Sequence, residues 1–455
     1  MDAGTHYRRT MKRSDRLIQT FLGDTPFDRR KFLGNACKGI VGATVLGEMA
    51  ALTVQAQRAT TSPDKAINGG SDTTPIQLKP RDAATERKEE DLPSPMDHDK
   101  RIRYAVVGLG LLTLGEIMPA FGECKYSKAV ALVSGNPEKA RKVATQYGIE
   151  QKNIYSYQNF DQIKNNPEID AVYIVLPNGM HEEYTVRSAQ AGKHVLCEKP
   201  MANNSKEAQR MIDACKKAGK KLMIAYRIQY EPNNRKAMEW TRSKQYGTVK
   251  LIETVNSQNI GDASQWRLKK ALAGGGSLPD IGLYCLNTSR FLLGEEPESV
   301  MATLYNTPGD ERFREVEESV LFQMRFPSGA LVNASTSYGV HESRRYRCHG
   351  DRGGWFGLDP AYAYKGLKME VSQALDKSEW RQTPSFGEKN QFAQEIDHMS
   401  LCLLGNKDPF TPGEEGLQDH KIMEAIYQSA QEGKLVKLEK ITRLDAFRGT
   451  PPKSD

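Results

Sequence analysis

With 455 residues and a formal charge of only +7, the chain is too long for one ordinary domain and carries no basic block of the kind nucleic-acid binding needs. Its seven cysteines (Cys37, Cys124, Cys197, Cys215, Cys285, Cys348 and Cys402) form no Cys-x-x-Cys pair and no zinc-spaced cluster, which argues against a metal site and against a disulfide framework. Scattered singly among apolar neighbours, they read as buried thiols.

The first informative stretch is Asp28-Arg29-Arg30-Lys31-Phe32-Leu33. Paired arginines leading into the mildly apolar residues 34–54 read as a twin-arginine export signal, with small residues at Val54-Gln55-Ala56 for cleavage after Ala56. Lys38 and Glu48 make the segment too polar for a membrane span, so the mature form is expected to have no membrane anchor. The implied partner is the twin-arginine export machinery, which carries cargo already folded, and the implied location is the periplasm. Residues 57–100, rich in Pro, Thr and charge and stiffened by Pro75, Pro80, Pro93 and Pro95, read as an extended arm.

From residue 101 to 226 short apolar runs (104–107, 130–133, 171–176, 194–197 and 222–225) alternate with helical patterns, which predicts a doubly wound parallel sheet of the Rossmann α/β class. Residues 227–440 change character. Longer, nearly alternating runs at 249–255, 299–305, 319–326 and 330–337, with helical patterns at 391–404 and 416–432, predict an α+β domain with an open, mostly antiparallel sheet. Residues 441–455 read as a tail.

The first run ends in Gly108-Leu109-Gly110, where Gly108 permits a tight turn and Gly110 lets backbone approach a pyrophosphate. Thr113 stands where a third glycine is usual. At the end of the second run an acidic residue would select NAD, but this chain reads Ser134-Gly135-Asn136-Pro137-Glu138-Lys139-Ala140-Arg141. Pro137 suits the first position of a helix, which puts Lys139 in the first turn, where the dipole disfavours a cation unless an anion binds. That favours the 2′-phosphate of NADP. Further on, Glu198-Lys199-Pro200 closes another run and places Lys199 where a doubly wound sheet binds its ligand. In the second half Asp280 and Tyr284 stand four residues apart, on one face of a helix, where a phenol can pass a hydroxyl proton.

The glycine turn, Leu176-Pro177-Asn178, Glu198-Lys199-Pro200 and the run Gly274-Gly275-Gly276-Ser277-Leu278-Pro279-Asp280-Ile281-Gly282-Leu283-Tyr284 together resemble the Gfo/Idh/MocA oxidoreductase family, from about residue 103 to 438. Within it the glucose–fructose oxidoreductase branch is the most similar, because Tyr284 stands where inositol dehydrogenases carry histidine. The resemblance implies a tightly bound NADP that accepts hydride from C1 of an aldose, giving a lactone, and passes it to a second sugar. It implies Lys199, Asp280 and Tyr284 as the catalytic group, and Ser134, Lys139 and Arg141 at the 2′-phosphate. Gly108, Leu109, Gly110, Gly135, Leu176, Pro177, Asn178, His181, Glu198, Lys199, Arg227, Trp266 and Arg267 complete the cofactor set. It also implies small-molecule sugars as partners and a homo-oligomer, dimer or tetramer. Leu111, Ile228-Gln229 and residues 355–386 depart from the branch. An ordinary sugar dehydrogenase with exchangeable cofactor, an NAD-dependent glycosidase and a non-catalytic sugar sensor are the competing readings.

Overall fold

In the computed structural model, which describes residues 100–441, the first part of that span alternates strand and helix. The expected export signal, the arm as far as residue 99 and the tail from residue 442 lie outside the described residues. Six strands, β1 (Ile102–Val107), β2 (Ser127–Val133), β3 (Ile154–Tyr155), β4 (Ala171–Ile174), β5 (His194–Glu198) and β6 (Leu222–Ala225), pair in parallel in the order 3-2-1-4-5-6. Every residue of β4 is fully buried, as expected of a strand covered on both faces. Helices α1 (Met118–Glu123), α2 (Pro137–Tyr147), α3 (His181–Gln190) and α4 (Ser205–Lys217) belong to this part. Strand order reverses between β1 and β4, which opens a crevice at their carboxyl ends, the place where such sheets bind ligands. The two-residue β3 has no period to read and was not expected.

After α5 (Pro232–Ser243) the chain builds a nine-stranded sheet from β7 (Val249–Asn259), β8 (Ser299–Tyr305), β9 (Ser319–Arg325), β10 (Leu331–Ser337), β11 (Gly339–Gly350), β12 (Gly354–Leu358), β13 (Met369–Leu375), β14 (Ser378–Gln382) and β15 (Val436–Lys437). Its order is 14-13-12-11-7-10-9-8-15, antiparallel throughout except for β7 beside β10. Val320, Phe322 and Met324 of β9 and Val332 and Ala334 of β10 point inward, whereas Met301, Tyr305, Leu321 and Leu331 stand exposed on the other face. That alternation is the period-2 signature of a half-covered sheet. Helices α6 (Lys270–Ala273) and α7 (Leu283–Leu293) lie between β7 and β8, and α8 (Gln391–Leu404) and α9 (Gly413–Glu432) between β14 and β15.

The last two helices return to the first sheet. Phe392, Ile396 and Met399 of α8 share a core with Tyr104, Val106, Leu132 and Tyr173. Tyr104 meets Ser400 Oγ at 3.0 Å, and Asp397 accepts the N–H groups of Lys125 and Tyr126 at 2.6 and 2.9 Å. Helix α9 joins α7 through a buried ion cluster. Fully buried Arg290 pairs with Glu296 (2.7 and 2.9 Å), Glu415 (3.3 Å) and Asp419. Among the described residues no helix is long and apolar enough to cross a membrane, and the six described cysteines are buried free thiols.

Candidate active site

The loop after β1 turns at Gly108, whose φ is +95°. A Cβ there would lie 2.2 Å from the Val175 carbonyl oxygen, so only glycine fits. Thr113, at the position of the usual third glycine, is buried and donates its hydroxyl to the Gly108 carbonyl at 2.6 Å, closing the turn from within. Beside Gly110 the space is open for 4 Å. Leu109 is buried, and Leu111 is almost wholly exposed.

The loop after β2 lies against that turn. Buried Ser134 accepts the Asn136 N–H on its Oγ at 3.1 Å, which leaves its hydroxyl proton to be donated elsewhere. Asn136 caps α2 by accepting the Lys139 N–H at 2.9 Å, with Pro137 in the first turn as the sequence predicts. Lys139 Nζ reaches back to the Leu109 carbonyl at 3.3 Å, so its cation stands between the two loops. Arg141 is exposed one turn on, and the nearby acid, Glu138, is paired with Lys142 at 2.8 Å. Gly135 lies under the Tyr157 ring. A dinucleotide fits this end: open space faces Gly110, and a hydroxyl and two cations stand where a 2′-phosphate belongs.

Several residues expected at the cofactor have other partners. Asn178 Nδ2 donates to the Ala273 carbonyl at 2.8 Å, tying the loop after β4 (Leu176, Pro177) to α6. His181 is fully buried, with its ring nitrogens each 2.9 Å from a carbonyl oxygen, those of Pro200 and Leu176, and so braces the loops after β4 and β5. Glu198 is buried and accepts the Tyr173 hydroxyl at 2.8 Å. Arg267 packs over the Trp266 ring at 4.6 Å and directs its Nε to Asp280 Oδ2 at 3.1 Å.

Lys199, Asp280 and Tyr284 come together. Lys199 Nζ donates to the Asp280 carbonyl at 2.7 Å and to Asp280 Oδ1 at 3.2 Å, and lies 4.7 Å from the centre of the Tyr284 ring. Buried Arg227, held by Gln391 Oε1 (2.5 Å) and the Tyr362 carbonyl (2.7 Å), lies 4.9 Å from the Tyr284 ring and 4.6 Å from that of Tyr364. Burial alone would raise the Asp280 pKa, but Lys199, Arg267 and the hydrogen bond from Tyr338 hold the carboxyl well below the ordinary range. Burial works against the Lys199 ammonium too, and Tyr284, Asp280 and Glu198 overcome it, so the lysine stays charged.

The backbone that presents Asp280 is held by a residue the sequence reading missed. Glu317 accepts the N–H groups of Gly276 and Leu278 at 2.8 and 2.9 Å and the Tyr427 hydroxyl at 3.0 Å. The glycine run wraps so closely that a Cβ at Gly276 would stand 2.0 Å from the Glu317 carbonyl oxygen. Asp280 and Tyr284 are not on one regular helix: Leu278–Gly282 is a wide π-helical turn that runs into α7. Tyr338, which donates its hydroxyl to Asp280 Oδ2 at 2.5 Å, was missed as well. It continues the inward alternation of Val332, Ala334 and Thr336, and that register was the available signal.

Comparison with known proteins bears on the same elements. Residues 102–226 match the model of an oxidoreductase family with an NAD-binding Rossmann fold, and residues 234–356 match that of the GFO/IDH/MocA C-terminal domain. The chain is 31% identical over 347 residues to the D-xylose 1-dehydrogenase (NADP+) of Haloarcula marismortui, covering 75% of this chain and 94% of that one. With D-xylose 1-dehydrogenase (NADP+) 2 of Haloferax volcanii it shares 27% identity over 341 residues, 74% of this chain and 99% of the other. A crystal structure of aldose-aldose oxidoreductase from Caulobacter crescentus, complexed with glycerol, is 46% identical with a TM-score of 0.72, covering 74% of this chain and 100% of that one.

Proposed function

The chain belongs to the Gfo/Idh/MocA oxidoreductase family, and from that premise we propose that it is an NADP-dependent sugar oxidoreductase. In this reading hydride leaves C1 of an aldose, which becomes a lactone, and is passed on to a second sugar in the same site. The observation that carries it is the Lys199 ammonium, anchored on Asp280 and facing the Tyr284 ring at the carboxyl end of the parallel sheet. The NADP-dependent sugar dehydrogenases and the aldose-aldose oxidoreductase among its relatives support NADP-dependent sugar oxidation.

NADP, when bound, supplies the hydride acceptor. The turn at Gly108 and Gly110 would hold its pyrophosphate, and Ser134, Lys139 and Arg141 its 2′-phosphate. The Lys199 ammonium donates a hydrogen bond to the reacting sugar oxygen and fixes it in place. Tyr284 Oη enters the cycle as the phenolate beside the Lys199 and Arg227 cations and takes up the proton that the aldose hydroxyl loses. It returns to the phenolate by giving that proton to the carbonyl oxygen of the second sugar as it is reduced. Asp280, ionised and held by three donors, keeps the lysine in position.

An absorbance spectrum of the purified protein, with no cofactor added, tests the two-sugar cycle. A band near ~340 nm that appears with glucose and bleaches with fructose is expected for a retained nicotinamide working between two sugars. A band that forms only after NADP is added would give the reading over to a dehydrogenase with exchangeable cofactor, which the names of the D-xylose relatives favour. We extend the proposal to export of the folded enzyme to the periplasm, on the strength of Arg29-Arg30, and to a homo-oligomer packed through the open sheet face of Met301, Tyr305, Leu321 and Leu331. Cytoplasmic retention of the intact protein in cell fractions, or a monomer in sedimentation, would remove these extensions.

A further inference from the structure

We propose that Tyr338 is a positioning residue of the hydride-transfer reaction, acting through Asp280 to set where the Lys199 ammonium stands. The inference rests on the catalytic reading above and adds a residue and a role to it.

The two oxygens of the Asp280 carboxylate have different partners. Oδ1 faces Lys199 Nζ at 3.2 Å, while Oδ2 receives the Tyr338 hydroxyl at 2.5 Å and Arg267 Nε at 3.1 Å. A carboxylate is planar and rigid, so whatever fixes Oδ2 also fixes Oδ1, and with it the cation bound there.

Of the two donors on Oδ2, Tyr338 is the immobile one. Arg267 comes from a short helical turn, Trp266–Leu268, and its side chain is about one third exposed. Tyr338 is fully buried, and its ring packs with Ile260, Leu268, Ile281, Phe313 and Val316 in a small core of its own. Its backbone is pinned at both ends: the N–H donates to the Glu318 carbonyl and the carbonyl accepts the Ile260 N–H, each at 2.9 Å. Burial and the adjacent Asp280 carboxylate push the phenol well above its ordinary pKa, so at neutral pH it remains a donor.

This arrangement divides the work of the site. With three donors on it, Asp280 has no role as the proton acceptor and serves as a bracket. Its own stiffness comes from a tyrosine 58 positions away in sequence. Removing the Tyr338 hydroxyl leaves Oδ2 to the partly exposed Arg267 alone, so the carboxylate can turn. Lys199, still tied to the Asp280 carbonyl at 2.7 Å, then loses its fixed side-chain anchor and shifts relative to the reacting oxygen, a displacement of the kind that costs up to about 100-fold in rate.

Tyr338→Phe keeps the ring in its apolar nest and removes only the donor. The variant is expected to lower kcat by about 10- to 100-fold with KM little changed. A second readout needs neither sugar nor turnover. Labelling of Lys199 by an amine-directed reagent, located by peptide mass spectrometry, should be several-fold faster in Tyr338→Phe than in the parent. Asp280→Asn should show the same acceleration. A Tyr338→Phe protein with parental Lys199 labelling overturns the proposal, as does one whose kcat equals the parent's. If neither protein turns over any sugar while labelling still accelerates, the catalytic reading fails and the positioning of Lys199 by Tyr338 stands.

Discussion

Tyr284→Phe is expected to lower kcat by about 10²- to 10⁴-fold, the range removed with a proton-transferring group, while KM for the sugar and affinity for NADP change only a few-fold. The substitution is a clean one because the ring stays. Phenylalanine keeps the face that Lys199 Nζ and the Arg227 guanidinium approach at 4.7 and 4.9 Å, so the surrounding charges hold their places and only Oη is lost. Steady-state kinetics with an aldose and NADP, alongside a fluorescence titration of NADPH, separates the two quantities. A loss of less than about tenfold would mean that some other group moves the proton. Asp280 is a poor substitute, since Lys199, Arg267 and Tyr338 already occupy its oxygens.

Arg290→Met is expected to be the most damaging single change to stability outside the active site, costing about 3–5 kcal/mol. Methionine roughly fills the volume, but Glu296, Glu415 and Asp419 all lose the buried guanidinium that joins them. The loss should depend on pH. Burial already pushes Asp419 up to about 6 against the pull of Arg290, and removing the arginine raises it further. In the variant the folded state then binds protons that the unfolded chain, with ordinary carboxyls near 4, does not. Its stability therefore rises as pH falls from about 7 to 5, and the gap to the parent narrows. Urea midpoints for both proteins at the two pH values measure this. A gap of the same size at both would mean that the cluster does not take up the missing charge as protons.

Apart from the two-residue β3, the strands of the first sheet were legible because burial on both faces writes them as short, nearly unbroken apolar runs. The strands β8 to β10 were legible for the opposite reason, since one open face makes them alternate. The four strands β11 to β14 were not placed. In β11 only Tyr346 and Cys348 are buried among arginines, histidines and a glutamate, and every residue of β14 is exposed, so their pairing comes from neighbours and not from their own pattern. At the site Lys199, Asp280 and Tyr284, named from the sequence, lie together. Asn178, His181 and Arg267 belong to the expected loops, yet the first two bond backbone carbonyls and the third bonds Asp280. Glu317 and Tyr338 had no motif around them. Each acts on a partner far along the chain, at Gly276 and at Asp280, and spacing cannot show such pairs.

Helix α8 has a consequence for how the chain comes together on the ribosome. It covers one face of the first sheet, and the Tyr104–Ser400 bond joins positions 296 residues apart. The nucleotide-binding half, begun near residue 100, therefore waits for its last layer until the segment beyond residue 390 has been synthesised. Until then Tyr104, Val106 and Leu132 offer an apolar surface to whatever is nearby, and closing so long a loop is slow. A chain halted before α8 would expose that surface for good. A chaperone that shields it during synthesis would hold the protein in its most vulnerable form.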